Sequence, residues 1–406
     1  MSVAGLPGAP EQPLRIALVA GEASGDMLGA ALIGALRARV RDIECFGVAG
    51  PKMVAAGCEA WAGAAELSVM GLAEVLGHLP RLLRLRAGLV RRFAGARPDV
   101  FVGIDSPDFN LPLARRLKRA GVRCVQYVSP QVWAWRQGRA RTIGRDCDLV
   151  LCLLPFETEF YARHGVPAVF VGHPLADEIP LSVDRVGARA TLGVASGVTL
   201  IALLPGSRVA EVARLGAPFA AAAGWVAARR PGFEFIAPMA SAAIRECFER
   251  QLAQVPVAPA IRRVDGQAQR VLAACDAAIV TSGTATLETL LSNRPMVVAY
   301  KANPVTAFLA LKLGLVKVPY FSQPNLLVGR ALVPELLQRQ VTAEALGAAL
   351  LDELGSPAHL AELTHEFQRV HRSLRCGGAA QAADAVLKCL GRAAPAVAAA
   401  HGGPHD

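Results

Sequence analysis

The chain has 406 residues, 53% of them hydrophobic, with 43 Lys and Arg against 33 Asp and Glu and a formal net charge of +10. This length and apolar share exclude a disordered chain and predict two domains of ~100–200 residues each. No apolar run approaches the ~20 residues of a spanning helix, and the short N-terminal apolar stretch lacks the flanks of a signal peptide, so the sequence reads as cytosolic.

The predicted elements alternate along the chain. Leu14–Ala20 reads as a strand, followed by a helix through about Val40. Residues 78–97 then carry Arg81, Arg84, Arg86, Arg91, Arg92 and Arg97 with no acid, while Leu72, Leu76, Leu79, Leu83 and Val90 share an arc at 100° per residue. That is a basic amphipathic helix, suited either to an anionic membrane or to a core face with solvated arginines. Asp99–Ile104 is a strand, Leu111–Ala120 a helix with a second basic run (Arg115, Arg116, Lys118, Arg119, Arg123), and Val122–Val128, Leu149–Leu154 and Val169–Gly172 are strands. In the second half Thr199–Leu204, Phe233–Pro238, Ala277–Thr281 and Met296–Tyr300 are strands between helices, and the apolar stretch Val305–Val318 reads as a buried helix. Strand–helix alternation predicts parallel sheets with helices on both faces, here twice: an α/β protein of two doubly wound domains.

His173, Pro174 and Pro180 place the boundary near Gly172–Asp184, giving domains 14–178 and 179–390, with the last helices able to pack back on the first domain. The ends, 1–13 and 391–406, read as disordered. Nine scattered cysteines, an odd number without a CxxC pair, predict reduced thiols rather than disulfides or a zinc site. The positive charge calls for an anionic partner: nucleic acid, phosphorylated metabolite or lipid surface.

In open parallel sheets ligands sit beyond the carboxyl ends of the strands, so the loops leaving the strands are the candidate sites. After the first strand, Gly21-Glu22-Ala23-Ser24-Gly25-Asp26 can cradle an anion or sugar oxygen, or simply cap a helix through Ser24 or Asp26. Gly103-Ile104-Asp105-Ser106-Pro107-Asp108-Phe109-Asn110 sets Asp105 at a strand end as a candidate general base, with Asp108 the expected cap of the next helix. Tyr127–Arg136 holds Trp133 and Trp135, fit for a sugar or acyl surface or for a core.

In the second half, Gly206-Ser207-Arg208 opens a helix with an arginine able to clamp a diphosphate, and Glu211 lies one turn on to orient it. Ser282-Gly283-Thr284 is a second small-residue turn at a helix start, with Glu288 placed to accept from a ribose diol. Asn325 follows a proline in Gln323-Pro324-Asn325-Leu326-Leu327, where it can face a base or phosphate. His164 and His173 read as loop or packing residues. No GxxxxGK[ST], GxGxxG or HExxH motif is present, and no Asp-x-Asp stands in a loop leaving a strand as a metal motif for a nucleotide sugar, which argues against P-loop, classical NAD and metal-dependent chemistry.

Taken together these loops resemble the lipid-A-disaccharide synthases, a family of bacterial glycosyltransferases. The likeness runs through Gly21–Asp26, Gly47-Val48-Ala49-Gly50-Pro51, Ser68–Val75, Gly103–Asn110, Tyr127–Arg136, Leu154–Glu157, Gly172–Asp177, Leu203–Arg208, Ser282–Glu288 and Pro324–Leu327, over roughly residues 14–390. It departs at Ser106, where the family often has Ala, and at Gln323, where Leu is common.

The resemblance implies Rossmann-like domains facing a cleft, the glycosyltransferase-B architecture. It also implies an inverting transfer from UDP-2,3-diacylglucosamine to 2,3-diacylglucosamine 1-phosphate, giving a β-1,6-linked disaccharide 1-phosphate and UDP, in lipid A biosynthesis. Asp105 is then the expected base and Glu22 its rival. Ser24, Gly25, Asp26 and Asp108 line the acceptor side. Arg208, Ser282, Gly283, Thr284, Glu288 and Asn325 serve the UDP side. No cofactor, no metal in the chemical step and no nucleic acid partner are expected. The acyl substrates give the basic helix a purpose at the cytoplasmic face of the inner membrane, and a homodimer is a further expectation. A UDP-sugar 2-epimerase and a non-catalytic membrane- or nucleic-acid-binding protein are the alternatives.

Overall fold

The computed structural model describes residues 13–67, 72–135, 137–302 and 318–392, the stretch 72–79 as backbone only. Expectations for the two ends, Ser68–Gly71, Arg136 and nearly all of Val305–Val318 lie outside the described residues, as do the side chains of Leu72, Leu76 and Leu79. The chain divides into two compact units, one running to Pro174 and resuming at Cys376, the other Leu175–Arg375.

The first unit is built on a parallel sheet of β1 (Leu14–Ala20), β2 (Ile43–Ala49), β3 (Cys58–Gly63), β4 (Val100–Ile104), β5 (Arg123–Tyr127), β6 (Leu149–Cys152) and β7 (Ala168–Phe170), in the order β3-β2-β1-β4-β5-β6-β7. β1 is apolar nearly throughout because both of its faces are covered, as in the centre of a doubly wound sheet. Leu14, Ile16 and Leu18 meet Leu32 and Leu36 of the helix Ala23–Arg37 and Ala382 and Val386 of the helix Gly378–Cys389. Burying each such side chain contributes about 1.5–3 kcal/mol. Arg39 and Asp384 pair at the edge of this layer. Gly47, at φ 146°, sits at the bulge where β2 pairs with β3, and a Cβ there would lie 2.0 Å from the Leu18 carbonyl oxygen.

The basic helix spans Leu72–Ala96. Its buried stripe in the described part runs through Leu89 and Phe93, whose ring packs among Phe46, Trp61 and Phe101. Arg92 stacks over Trp61 at 4.2 Å. Leu83, expected on the apolar arc, is 45% exposed, beside the exposed Arg81 and Arg84. In the second basic run, Arg115 and Lys118 are held internally by Asp146 and Asp148.

The second unit carries β8 (Leu200–Leu204), β9 (Glu234–Met239), β10 (Ile261–Asp265), β11 (Ala277–Thr281), β12 (Met296–Tyr300) and β13 (Glu335–Leu337), all parallel, in the order β10-β9-β8-β11-β12-β13. Its core joins Ile201 and Leu203 of β8 to Phe219 and Val226 of the helix Val209–Arg229 and to Leu346 and Leu350 of the helix Ala343–Leu354. The expected α/β fold with two doubly wound sheets is therefore present. The strand order reverses between β1 and β4 in the first sheet and between β8 and β11 in the second. The crevice outside those carboxyl ends is where such sheets bind ligands.

Candidate active site

At the reversal point of the first sheet the loops after β1 and β4 touch. A Cβ on Gly21 would fall 2.4 Å from the Ser106 Oγ, so glycine is what allows the approach. Glu22 occupies the N-cap position of Ala23–Arg37 in extended conformation without a side-chain capping bond, and both it and Ser24 are exposed beside this contact. Gly25 is buried against Ala20.

Asp26 has a different task from the one expected. Its buried carboxylate accepts from the backbone N–H groups of Gly50, Lys52 and Met53 at 2.9, 2.9 and 3.0 Å. It caps the short helix Pro51–Ala55 from a distance and has its charge engaged inside the protein.

Asp105 lies immediately beyond β4 with φ 52°, and Ser106 follows with φ 40° and ψ 54°. Two successive L-residues in the left-handed region are rare, and such strain gathers at functional sites. The turn is held at both polar backbone atoms of Asp105. The Asp105 N–H donates to the Tyr127 carbonyl at 2.8 Å. The Asp105 carbonyl accepts from Asn110 Nδ2 at 2.9 Å and Gln126 Nε2 at 3.0 Å. Ser106, not Asp108, takes the N-cap position of the helix Pro107–Arg119, which begins four residues before the expected Leu111 because Pro107 suits a first helical turn. Asp108 is exposed and pairs with Arg139 at 3.1 Å.

β5 ends in a third unusual residue, Val128 at φ 74°, an outlier for a β-branched side chain. The aromatic loop after it divides between the two roles open to it. Trp133 is buried and donates to Glu157 Oε1 at 3.0 Å, whereas Trp135 is 48% exposed. Glu157 also accepts from the Leu154 N–H at 3.1 Å, and Ser129 bonds Tyr161 at 3.2 Å beside it. Burial pushes the Glu157 carboxyl up to about 7 against the opposing pull of these bonds.

At the reversal point of the second sheet, β8 leads into Gly206 at φ 135°, where a Cβ would strike the Glu211 side chain at 2.5 Å. Arg208 is the N-cap residue of Val209–Arg229, and its side chain is 80% exposed. Glu211 lies 3.2 Å from the Arg208 guanidinium and accepts from the backbone N–H groups of Ser207 and Arg208.

From the paired strand β11, Ser282 Oγ donates to the Phe321 carbonyl at 2.6 Å. The exposed Gly283 (φ 145°) and Thr284 then open the helix Thr284–Leu291. Glu288, on that helix, is raised above the ordinary carboxylate range by burial and then by the nearby Glu178.

Asn325 does not fit its expected role. It is buried, Nδ2 donates to the Val333 carbonyl at 2.9 Å and to Glu335 Oε1 at 2.8 Å, and Oδ1 accepts from the N–H groups of Leu332 and Val333 at 2.8 and 2.9 Å. With all of its bonds made internally, it has none left for a phosphate or base. Glu335, unremarked in the sequence, ties the same loop by accepting from the Phe321 and Ser322 N–H groups and the Ser322 hydroxyl.

The structure thus gathers Glu22, Ser24, Asp105 and Ser106 at one sheet end, and Arg208 with Ser282–Thr284 on adjacent strand ends of the other. Gln126 and Glu335 are not among the sequence candidates, and Glu157 enters only within the stretch Leu154–Glu157. Gln126 does leave a signal, a polar residue in the otherwise apolar end of β5.

Residues 16–386 match the family model described as lipid-A-disaccharide synthetase. The lipid-A-disaccharide synthase of Pseudomonas aeruginosa (strain UCBPP-PA14) is 53% identical over 379 residues, covering 93% of this chain and 99% of that one. That of Azotobacter vinelandii is 52% identical over 383 residues, covering 94% and 99%. Among solved structures, UDP-GlcNAc 2-epimerase from Neisseria meningitidis bound to UDP-GlcNAc superposes with a TM-score of 0.63 at 11% identity, covering 92% of this chain and all of that one. The glycosyltransferase of kitacinnamycin gives 0.59 at 19% identity, covering 93% and 100%. These structures share the fold.

Proposed function

The chain belongs to the lipid-A-disaccharide synthase family, and from that premise we propose the reaction and the residues that carry it. It is a glycosyltransferase of lipid A biosynthesis, a hexosyltransferase taking a UDP-sugar donor and a lipid acceptor. On our reading the donor is UDP-2,3-diacylglucosamine and the acceptor 2,3-diacylglucosamine 1-phosphate. The acceptor 6-hydroxyl attacks the anomeric carbon as UDP leaves from the opposite face.

Such a displacement needs one group to take the hydroxyl proton and another to hold the charge growing on the diphosphate. Asp105 takes the proton. The observation that carries this assignment is its place and posture: a carboxylate at the reversal point of a parallel sheet, on a turn held in the left-handed region. Glu22, exposed on the touching loop, is the second choice. Arg208 and the turn at Ser282–Thr284 hold the diphosphate, and Glu288 takes the ribose.

The test is UDP release from the detergent-solubilised protein given UDP-diacylglucosamine, with and without the monosaccharide 1-phosphate. Acceptor-dependent release with a disaccharide product is expected. Formation of the 2-epimer without an acceptor would overturn the transferase reading. Asp105→Asn should slow turnover by ~10²–10⁴-fold, and near-normal turnover would remove Asp105 as base.

No described helix is long and apolar enough to cross a membrane. Binding to the anionic surface of the inner membrane on its cytoplasmic face is also part of the proposal. It is supported by exposed Arg81, Arg84 and Arg91 with Leu83 on one helix, each arginine contributing ~1 kcal/mol near such a surface. Flotation with anionic vesicles but not neutral ones would support it, and equal flotation with both would defeat it. A homodimer is the remaining expectation, and sedimentation tests it.

A further inference from the structure

We infer that Gln126 and Asn110 are positioning residues for the reaction: their two buried side-chain amides grip the carbonyl of Asp105 and so fix the direction of its carboxylate. The inference rests on the reading of Asp105 as general base.

A carbonyl oxygen has two lone pairs. Those of Asp105 are met by two side chains from different elements, Asn110 on the helix Pro107–Arg119 and Gln126 on β5, at 2.9 and 3.0 Å. Both side chains are buried. With the N–H of Asp105 bonded to Tyr127, the peptides on either side of this residue are both tied. That grip is what lets two consecutive L-residues stay at φ 52° and 40°. A turn needed only as a turn would be met by glycine at no steric cost. Here a residue with a carboxylate is kept in the left-handed region, and two amides hold it there.

Two further details separate this from ordinary core bonding. Gly103 makes room for both amides: a Cβ there would lie 2.8 Å from Asn110 Cβ and 3.2 Å from Gln126 Oε1. Asn110 also leaves its Oδ1 buried without a hydrogen-bond partner, while Nδ2 faces three carbonyls, those of Asp105, Ile104 and Val19. Asn325, whose task is structural, bonds at both ends of its amide. Asn110 is oriented for its donor end alone. Gln126 reaches one residue further, donating to the Val128 carbonyl at 3.3 Å, so a single amide links both left-handed strand ends.

The test compares Gln126→Leu and Gln126→Met in wild-type and Asp105→Asn backgrounds, in the full-length protein. Met keeps the length of the side chain and loses only the donor and acceptor, so it carries the test if the Leu variant fails to fold. Because a ~1 Å misplacement of a reacting group can cost ~10²-fold, kcat should fall by ~10–100-fold. KM for both substrates and the affinity for UDP should stay within about two-fold. In the Asp105→Asn background the same substitutions should change kcat by less than about two-fold, since the group they aim has lost its charge.

Equal losses in both backgrounds, or weakened UDP binding, would mark Gln126 as merely structural and overturn the inference. So would wild-type kcat in a folded Gln126→Met. The underlying reading fails separately, and is seen to fail, if Asp105→Asn alone turns over normally.

Discussion

Between about pH 4.5 and 7 the first unit should lose stability as the pH rises, through one buried carboxyl. Glu157 is pushed up from 4.5 to about 7, chiefly by burial, with the bonds from Leu154, Trp133 and Ser129 opposing. In the unfolded chain it has no such burden. Between the two values the folded state therefore binds more protons than the unfolded state, and the derivative of unfolding free energy with pH is negative. The stabilisation is fully present below the unfolded value and is lost as the pH climbs through the folded one. A shift of this size is worth about 3 kcal/mol, a large part of a typical domain's 5–15.

Glu157→Gln stays neutral at every pH and still offers an oxygen to the Trp133 or Leu154 N–H, so its stability should be flat where the wild type declines. Urea unfolding at pH 5, 6, 7 and 8, followed by tryptophan emission, reads the difference directly because Trp133 donates to this carboxylate. Taking the variant against the wild type cancels every other titrating group. Parallel curves for the two proteins would show that Glu157 titrates at an ordinary carboxylate pH and that its burial is relieved by something else.

Arg208→Ala should weaken UDP binding by roughly 10–100-fold, the worth of a charge-assisted bond, while moving the unfolding temperature little, because the side chain is 80% exposed. Isothermal titration with UDP checks it, and unchanged affinity would take Arg208 out of the site. Asn325→Ala should do the reverse. It strands the Leu332 and Val333 N–H groups and costs roughly 3 kcal/mol in urea unfolding, with UDP affinity of the folded protein preserved. A loss of UDP affinity at unchanged stability would return Asn325 to the ligand.

Strand positions were legible where a run of apolar residues fills both sheet faces and stops at a small residue. β1, β11 and β12 lie where the sequence places them. β3, β10 and β13 escaped because edge strands are only half covered: β10 reads Ile-Arg-Arg-Val-Asp and β13 is three residues long. β2 escaped because Glu44 and Gly47 interrupt its run.

The candidate site residues could be named for the same reason as the central strands. A strand that ends cleanly shows which residue comes next, and at the reversal points those residues are Gly21, Asp105, Pro205 and Ser282. Asp26 and Asn325 misled because what decides their role is distant. Backbone N–H groups at 50–53 and at 332–333 leave no mark near the residue that bonds them.

On the proposed reading the two sheet ends are also built to different tolerances, and the difference follows from what each must do. A base works only within about 2.6–3.2 Å of the proton it removes, so an error in its direction is felt at once. Asp105 accordingly has its N–H and its carbonyl both bonded, on a turn in the left-handed region. A cation facing a diphosphate meets a force that falls slowly with distance, and the ligand's own charge completes the alignment. Arg208 accordingly stands in solvent with one tie, to Glu211 on its own helix, a pair weak enough at the surface to exchange for a phosphate. Loosening the first loop should therefore act on the rate and shortening the second on the affinity, a division that separate kcat and UDP-binding measurements can see.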